Sequence, residues 1–181
     1  METSPGVLVH SRSDRNAAVQ HWLLCAAQNR DTARLEWRER GFTLLRCGGL
    51  FTAIRIPAAV VCAAAGTEDR EEVGEFLETA LHGGPVFVDQ TAAWFYALVP
   101  ASTAQTWQKP QTECFGQDTY LGVPHPSIDR RHARARSYWA VPMDGPGNLC
   151  SPGAVSQLVE VGRLRQAEQD SRGADAGTEP R

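Results

Sequence analysis

Lysine is almost missing from this sequence, because Lys109 is its single lysine and the other 17 of the 18 basic residues are arginine. Isoleucine is scarce as well, whereas alanine, glycine and valine are abundant. This bias is typical of a GC-rich genome and requires no arginine-specific chemistry. The formal net charge of −3 and the isoelectric point near 5.9 argue against a nucleic-acid binder that is positively charged over its whole surface.

The sequence also lacks a disulfide pattern. Its five cysteines are odd in number and include no C-x-x-C pair, and a chain of 181 residues buries enough surface to be stable without cross-links. We therefore predict five reduced thiols, of which Cys25, Cys47 and Cys62 lie among apolar neighbours and should behave as small hydrophobic side chains. The cysteines are Cys25, Cys47, Cys62, Cys114 and Cys150.

Long apolar runs are missing too. The longest is 58–65, far below the ~18–20 residues that cross a bilayer. The first ten residues lack the charged start and apolar stretch of a signal peptide. We expect a cytoplasmic protein that does not insert into membranes.

Motifs that carry chemistry are absent from the sequence. The pairs Gly48-Gly49 and Gly83-Gly84 lack the spacing of phosphate-binding loops and suit turns or helix ends instead. The histidines have no H-x-x-x-H spacing, and the acidic residues after Asp69 fit the start of a helix better than a metal site. Cys114 is the most loop-like cysteine, but no cation near it in sequence would activate a thiolate. We predict no catalytic residue, no metal and no cofactor.

The composition, 42% hydrophobic and 22% charged, is that of a globular domain. Helical and strand-like patterns alternate, which predicts an α+β fold: an antiparallel or mixed sheet of short hairpins with helices packed on one face. We expect a flexible arm over 1–12, a single domain over 13–165 and a disordered tail over 166–181, where periodicity ends. The oligomeric state is not predicted.

Capping and turn residues place the elements more closely. Helices are predicted from Ser13 or Asp14 to about 28, then over 31–40, 57–65, 69–81 and from 151 onward. On the second helix Ala33 and Trp37 share one face, so Trp37 should pack against the sheet. Residues 42–47 and 50–56 are predicted to form a hairpin through Gly48-Gly49. The other predicted strands are 85–89 paired with 94–99, 120–123 and 138–141.

One charged segment has no evident role in the core. Residues 129–136 contain four arginines, Arg130, Arg131, Arg134 and Arg136, against one aspartate, directly before Tyr138. Arginine binds phosphates well and an aromatic ring can stack on bases, so these five residues are the candidate site for nucleic acid or an acidic protein. A stripe of arginines at 30, 34 and 38 could lie nearby. The alternative interpretation is a solvated loop, with Tyr138 and Trp139 in the sheet.

Several stretches together resemble a known group of proteins. They are 34–37 (RLEW), 50–57 (LFTAIRIP), Pro85-Val86 with 94–100 (WFYALVP), 120–124 (YLGVP) and 138–142 (YWAVP). In this order they resemble small actinobacterial proteins of plasmids and integrative elements, of the plasmid spread and transfer type. They are distantly similar to the N-terminal region of bifunctional DNA primase-polymerases. The resemblance spans roughly residues 20–165.

This resemblance implies a non-catalytic cytoplasmic accessory protein of a mobile element, involved in plasmid spread, conjugative transfer or maintenance, that acts by binding a protein or nucleic acid. The alternative is an enzyme or nucleotide-binding domain on a degenerate primase-polymerase-like fold. Primase-polymerases use a D-x-D carboxylate pair to hold two metal ions, but this sequence contains no D-x-D, and Asp89 ends its strand alone. This departure is why binding is preferred over catalysis.

Overall fold

A computed structural model describes residues 11–132 and 134–176. Five α-helices and seven strands occur in this part of the chain, and the α+β class is confirmed. The helices are α1 (Arg12–Leu23), α2 (Arg30–Arg40), α3 (Ala58–Ala65), α4 (Arg70–Ala80) and α5 (Pro152–Ala176). The strands are β1 (Phe42–Arg46), β2 (Thr52–Pro57), β3 (Val86–Asp89), β4 (Trp94–Val99), β5 (Glu113–Cys114), β6 (Tyr120–Pro124) and β7 (Ser137–Val141).

The main sheet has five antiparallel strands in the order β5-β2-β4-β3-β7. The predicted pairing of β3 with β4 is confirmed. Strand β2 alternates between two buried faces, with Ile54 and Ile56 in one hydrophobic cluster and Phe51 and Ala53 in another. Helices α3, α4 and α5 pack on the first face. The second face is also covered, by α1, α2 and a small second sheet.

The second sheet pairs β1 with β6 and corrects the predicted hairpin. The two strands run antiparallel from Phe42 opposite Pro124 to Arg46 opposite Tyr120. At the end of β1 the backbone N–H of Cys47 donates to Thr119 O (2.8 Å), and Gly48 turns with a φ of 92°. The chain therefore leaves the small sheet at this turn and enters the main sheet, instead of folding back on β1.

Most predicted helix ends agree with the structure, but α1 begins before the predicted Ser13 or Asp14 and ends at Leu23 rather than near residue 28. Ser11 caps α1 in a capping box with Asp14, so residues 11 and 12 belong to the folded domain. The rest of the predicted arm, 1–10, lies outside the described residues. Helix α2 ends at Gly41 with a φ of 78°, as predicted. Helix α4 begins as predicted after Asp69, whose side chain accepts from the backbone N–H groups of Glu71 and Glu72.

The last helix is longer than predicted. Helix α5 continues to Ala176, so the chain from 166 to 176 is helical rather than disordered, whereas 177–181 lie outside the described residues. Its first half packs closely on α3, where a Cβ at Gly162 would overlap the carbonyl oxygen of Val60. Further on, Arg165 donates to the carbonyl oxygens of Ala63 (3.4 Å) and Ala64 (2.6 Å). The helix therefore continues past the predicted domain boundary at 165.

Candidate nucleic-acid interface

The arginine loop, residues 129–136, joins β6 to β7 and is held at a fixed place by α4. Arg70, the first residue of α4, donates to the carbonyl oxygens of Arg130 (3.2 Å) and His132 (3.4 Å) and to Gln90 Oε1 (2.6 Å). Gln90 in turn donates to Ala135 O, and its backbone N–H donates to Arg136 O (3.0 Å). The loop is thus a tethered structure rather than a freely solvated segment, although Ala133 lies outside the described residues.

The carboxylate of Asp129 holds the start of the loop in place. Its side chain is 11% exposed and its Oδ2 accepts from Arg12 at 2.7 Å and from Arg131 at 3.0 Å. Its Oδ1 accepts from the backbone N–H of Arg131 (3.1 Å), and His132 Nδ1 lies 3.1 Å away. A carboxylate this well satisfied fixes the loop against α1, so Arg12, which was not among the predicted residues, belongs to the site.

Arg130 does not point outward, which corrects its predicted role as a phosphate contact. Its side chain is 19% exposed and lies across Gly74 in the middle of α4, where a Cβ would come within 2.9 Å of its guanidinium carbon. It pairs with Glu71 and Glu78, both at 3.5 Å, and donates to Glu71 O at 3.2 Å. Arg130 therefore anchors the loop and is not available to a ligand.

Tyr138 is also withdrawn from the predicted interface. It is 5% exposed and belongs to the hydrophobic cluster under α4, and the Arg70 guanidinium covers its ring at 4.0 Å from the centroid. Burial raises the pKa of the Tyr138 phenol, while the Arg70 charge opposes that rise. The Tyr138 ring, which was predicted to stack on bases, instead stacks on Arg70, the arginine that tethers the loop. Tyr138 and Trp139 lie in the sheet, as the alternative interpretation had it.

Three of the predicted arginines remain on the surface. Arg131 and Arg136 are 68% and 67% exposed in their side chains, and Arg134 is exposed as well. Arg136 faces Asp89 at 3.7 Å, a solvent-screened pair of small energetic value. On α2, Arg34 pairs with Asp31 of its own helix, and no described contact joins the α2 arginines to the loop.

Arg136 lies at the rim of a pocket between the two sheets, which the sequence did not predict. The main sheet supplies its floor through Phe87 and Tyr96, whose rings stack at 4.8 Å with an interplanar angle of 12°. The small sheet supplies the roof through Phe42, Leu121 and Gly122. The pocket holds about 150 Å³. Three of its eight lining residues are therefore aromatic.

Two polar groups line the same pocket beside Arg136. Asp89 and Ser137 are directly opposite each other on β3 and β7. The Asp89 Oδ1 accepts from the backbone N–H groups of Thr91 (2.9 Å) and Ala92 (3.3 Å), which leaves Oδ2 for the Arg136 side and for a ligand. The Ser137 hydroxyl is buried and has no hydrogen-bond partner in the structure. Because that hydroxyl is buried, Asp89 and Arg136 are the polar side chains that this pocket presents to a ligand.

A larger cleft elsewhere is less suited to a charged ligand. The cleft between α1 and α4 is larger, about 490 Å³, but its charged groups pair with one another: Arg15 with Asp144 and Arg130 with Glu78, each at 3.5 Å. Within the described residues no group of three or more His, Cys, Asp or Glu side chains is placed to hold a metal ion.

All five cysteines are free thiols in the structure. Burial raises the pKa of Cys114 to about 11, so this residue, in β5 and not in a loop, is a poor nucleophile. Cys25 is exposed, contrary to the prediction that it is buried as a small hydrophobic side chain.

Comparisons of the chain with protein families, with curated proteins and with solved structures found no match. Among residues 11–132 and 134–176 we find no helix with the length and apolar composition that a bilayer crossing requires.

Proposed function

We propose that this protein binds single-stranded DNA, with one base held in the inter-sheet pocket and the neighbouring phosphates on the exposed side chains of Arg131, Arg134 and Arg136. The observation that carries the proposal is the place of Arg136 in the lining of a pocket that contains three aromatic residues, while Arg131 and Arg134 are exposed in the same loop. Stacking on an aromatic ring contributes ~1–3 kcal/mol per base and tolerates many sequences. Arginine adds a salt-dependent attraction for the backbone.

The geometry favours a single strand over a duplex. A base that enters between a floor and a roof has both its faces covered by protein and must leave any base pair, which costs a few kcal/mol in duplex DNA. The net charge of −3 also opposes a long, flat contact with a duplex, while a local cluster of three arginines is enough for a short one.

The resemblance to mobile-element proteins gives this proposal a setting. We propose that the protein is a cytoplasmic accessory factor in plasmid spread, transfer or maintenance, processes in which single strands arise. The alternative of an enzyme on a degenerate primase-polymerase-like fold would require several convergent carboxylates. Asp89 is the one carboxylate among the described residues that line the pocket, which favours binding.

Fluorescence anisotropy with a labelled 12-nucleotide single strand tests the proposal. At about −0.7 in log affinity per log salt for each phosphate contact, three arginines predict a salt slope near −2. The double variant Arg134→Ala/Arg136→Ala should lower the slope to about −0.7. The matched control is Arg163→Ala/Arg172→Ala, which removes the same charge from α5 on the far side of the main sheet and should leave the slope unchanged.

A second variant tests the pocket without changing charge. A Cβ at Gly122 would meet only the Phe42 ring, at 3.5 Å, so Gly122→Leu can fold and adds bulk beside Phe42 in the pocket lining. It should weaken binding about tenfold while the salt slope stays near −2. If the wild-type protein binds no single strand at low salt, the nucleic-acid proposal is wrong and an acidic protein becomes the partner to look for.

A further inference from the structure

We infer that Arg55 and Trp94, on the open part of the main sheet beside the inter-sheet pocket, form a second surface on which a base stacks. This inference rests on the proposed binding of single-stranded DNA and adds the place of the neighbouring nucleotide. Two features carry it: the position of the two side chains on the sheet face that lines the pocket, and the stack that they form with each other.

The register of the main sheet places these two residues beside the pocket. Asp89, which lines the pocket and faces Arg136 at 3.7 Å, lies directly opposite Trp94 on β4. Tyr96, which lines the pocket as well, lies directly opposite Arg55 on β2. Side chains of directly opposite residues share one face of the sheet, and neighbouring strands are ~5 Å apart. Arg55 and Trp94 are therefore each one strand spacing from a pocket residue, within reach of the next nucleotide.

The cover on this face of the sheet ends near Arg55 and Trp94. Along β4, Leu98 is fully buried, whereas Tyr96 and Trp94 are half-buried. Along β2, Ala53 is fully buried, whereas the Arg55 side chain is 35% exposed. The small sheet and the helices on this face thus leave Arg55 accessible to a ligand that extends from the pocket.

Two contacts fix the Arg55 guanidinium, which is a planar cation. Its central carbon lies over the Trp94 ring, 4.5 Å from the centroid, and its Nη2 pairs with Glu113 Oε2 at 2.7 Å on the neighbouring strand β5. Unpaired bases stack on arginine planes as well as on aromatic rings. Because Glu113 already offsets the charge of Arg55, this arginine contributes a stacking surface rather than a phosphate contact.

Arg55→Lys tests the stacking surface without changing the charge, because lysine keeps the cation and has no planar group. In anisotropy with the same 12-nucleotide single strand, this variant should bind about tenfold more weakly, with the salt slope still near −2. The matched control is Arg38→Lys, at an exposed arginine of α2, which should bind like the wild type. Retention of the wild-type melting transition would show that Arg55→Lys folds.

Glu113→Gln tests the same surface by a gain of binding, which damage to the fold would not produce. It frees the Arg55 charge for a phosphate, so binding should become tighter and the salt slope should steepen to about −2.7. Glu75→Gln, at an exposed carboxylate of α4 on the other face of the main sheet, is the control and should leave the slope near −2.

The outcomes separate this inference from the proposed function. A folded Arg55→Lys protein with wild-type affinity, or equal slopes for Glu113→Gln and Glu75→Gln, would overturn the second stacking surface and leave the binding of single-stranded DNA intact. Absence of binding by the wild-type protein would overturn both.

Discussion

Replacing Gly74 by alanine tests whether Arg130 is held against α4 in solution as it is in the structure. Glycine in the interior of a helix costs about 0.8–1.0 kcal/mol relative to alanine, so on an ordinary helix face this substitution is stabilising. Here a Cβ at position 74 would overlap the side chain of Arg130. The substitution should therefore push the arginine off the helix and release its contacts with Glu71 and Glu78.

The size of the loss follows from those contacts. Arg130 donates a charge-assisted hydrogen bond to Glu71 O and forms two ion pairs at 3.5 Å in a site where its own side chain is mostly buried. A hydrogen bond of this kind contributes about 1.5–3 kcal/mol. Because both glutamates are more than half exposed, they can be solvated after the arginine has moved, and the ion pairs add little. We expect Arg130→Ala to cost ~2–3 kcal/mol and Gly74→Ala to cost ~1–2 kcal/mol net.

The decisive measurement is the double variant, followed by urea unfolding with tryptophan fluorescence. In the Arg130→Ala protein the side-chain atoms that a Cβ at position 74 would overlap are gone, so Gly74→Ala should now stabilise α4 by about 1 kcal/mol. The same substitution thus changes sign between the two backgrounds. Stabilisation by Gly74→Ala in the wild-type protein would refute the reasoning, because it would mean that Arg130 does not lie on the helix. Arg134→Ala, at an exposed arginine of the same loop, is the matched control and should cost less than 1 kcal/mol.

Three further predictions concern the core and the thiols. Trp37→Ala should lower the free energy of unfolding by ~3–5 kcal/mol, because the indole is buried and donates to Val123 O at 2.9 Å. Trp37→Phe should lose only the hydrogen bond. Near-wild-type unfolding of the alanine variant would contradict this prediction. Burial lowers the pKa of the His125 imidazole in the folded protein below its value in the unfolded chain. The free energy of unfolding should therefore fall as the pH drops below about 6.5. His125→Gln should flatten this pH dependence in urea unfolding. In alkylation followed by mass spectrometry, the exposed Cys25 should react in the folded protein at neutral pH. Burial raises the pKa of Cys150 to about 12, so this thiol should react only after unfolding. Five labels are expected on the unfolded chain, and a mass with two labels fewer would show a disulfide.

Helix and strand ends were predictable from the sequence where a local residue marks them. The pairing of strands was not predictable where it depends on residues that are distant along the chain. Gly41 and Asp69 mark helix ends by their own conformation and side chain, and both ends were predicted. Gly48 also signals a turn correctly, but a turn does not specify which strand receives the next hydrogen bond. The partner of Cys47 is Thr119, far along the chain, and nothing in the residues between 42 and 56 reports it.

The sequence predicted where the charged residues of the site cluster along the chain, but not which of them form its surface. The sequence located the arginine loop, but which arginines face solvent is decided by Glu71, Glu78 and Asp129 and by the shape of α4. One signal could have been used: a glycine inside a helical pattern, such as Gly74, often marks the close approach of another group. The pocket was out of reach because Phe42, Tyr96 and Phe87 come from three strands of two sheets.

The small sheet has a consequence for how the pocket exchanges its contents. Its two strands, 42–46 and 120–124, pair only with each other, and an isolated two-stranded sheet is marginally stable. The contact with α2 through Trp37 holds it in place, whereas the floor belongs to a five-stranded sheet. Amide protons of β1 and β6 should therefore exchange with solvent through a partial opening that leaves β2, β3 and β4 protected. This opening must expose Leu45, Leu121 and Val123, which are buried in the second hydrophobic cluster, so it should be rarer than the fraying of an exposed strand and more frequent than global unfolding.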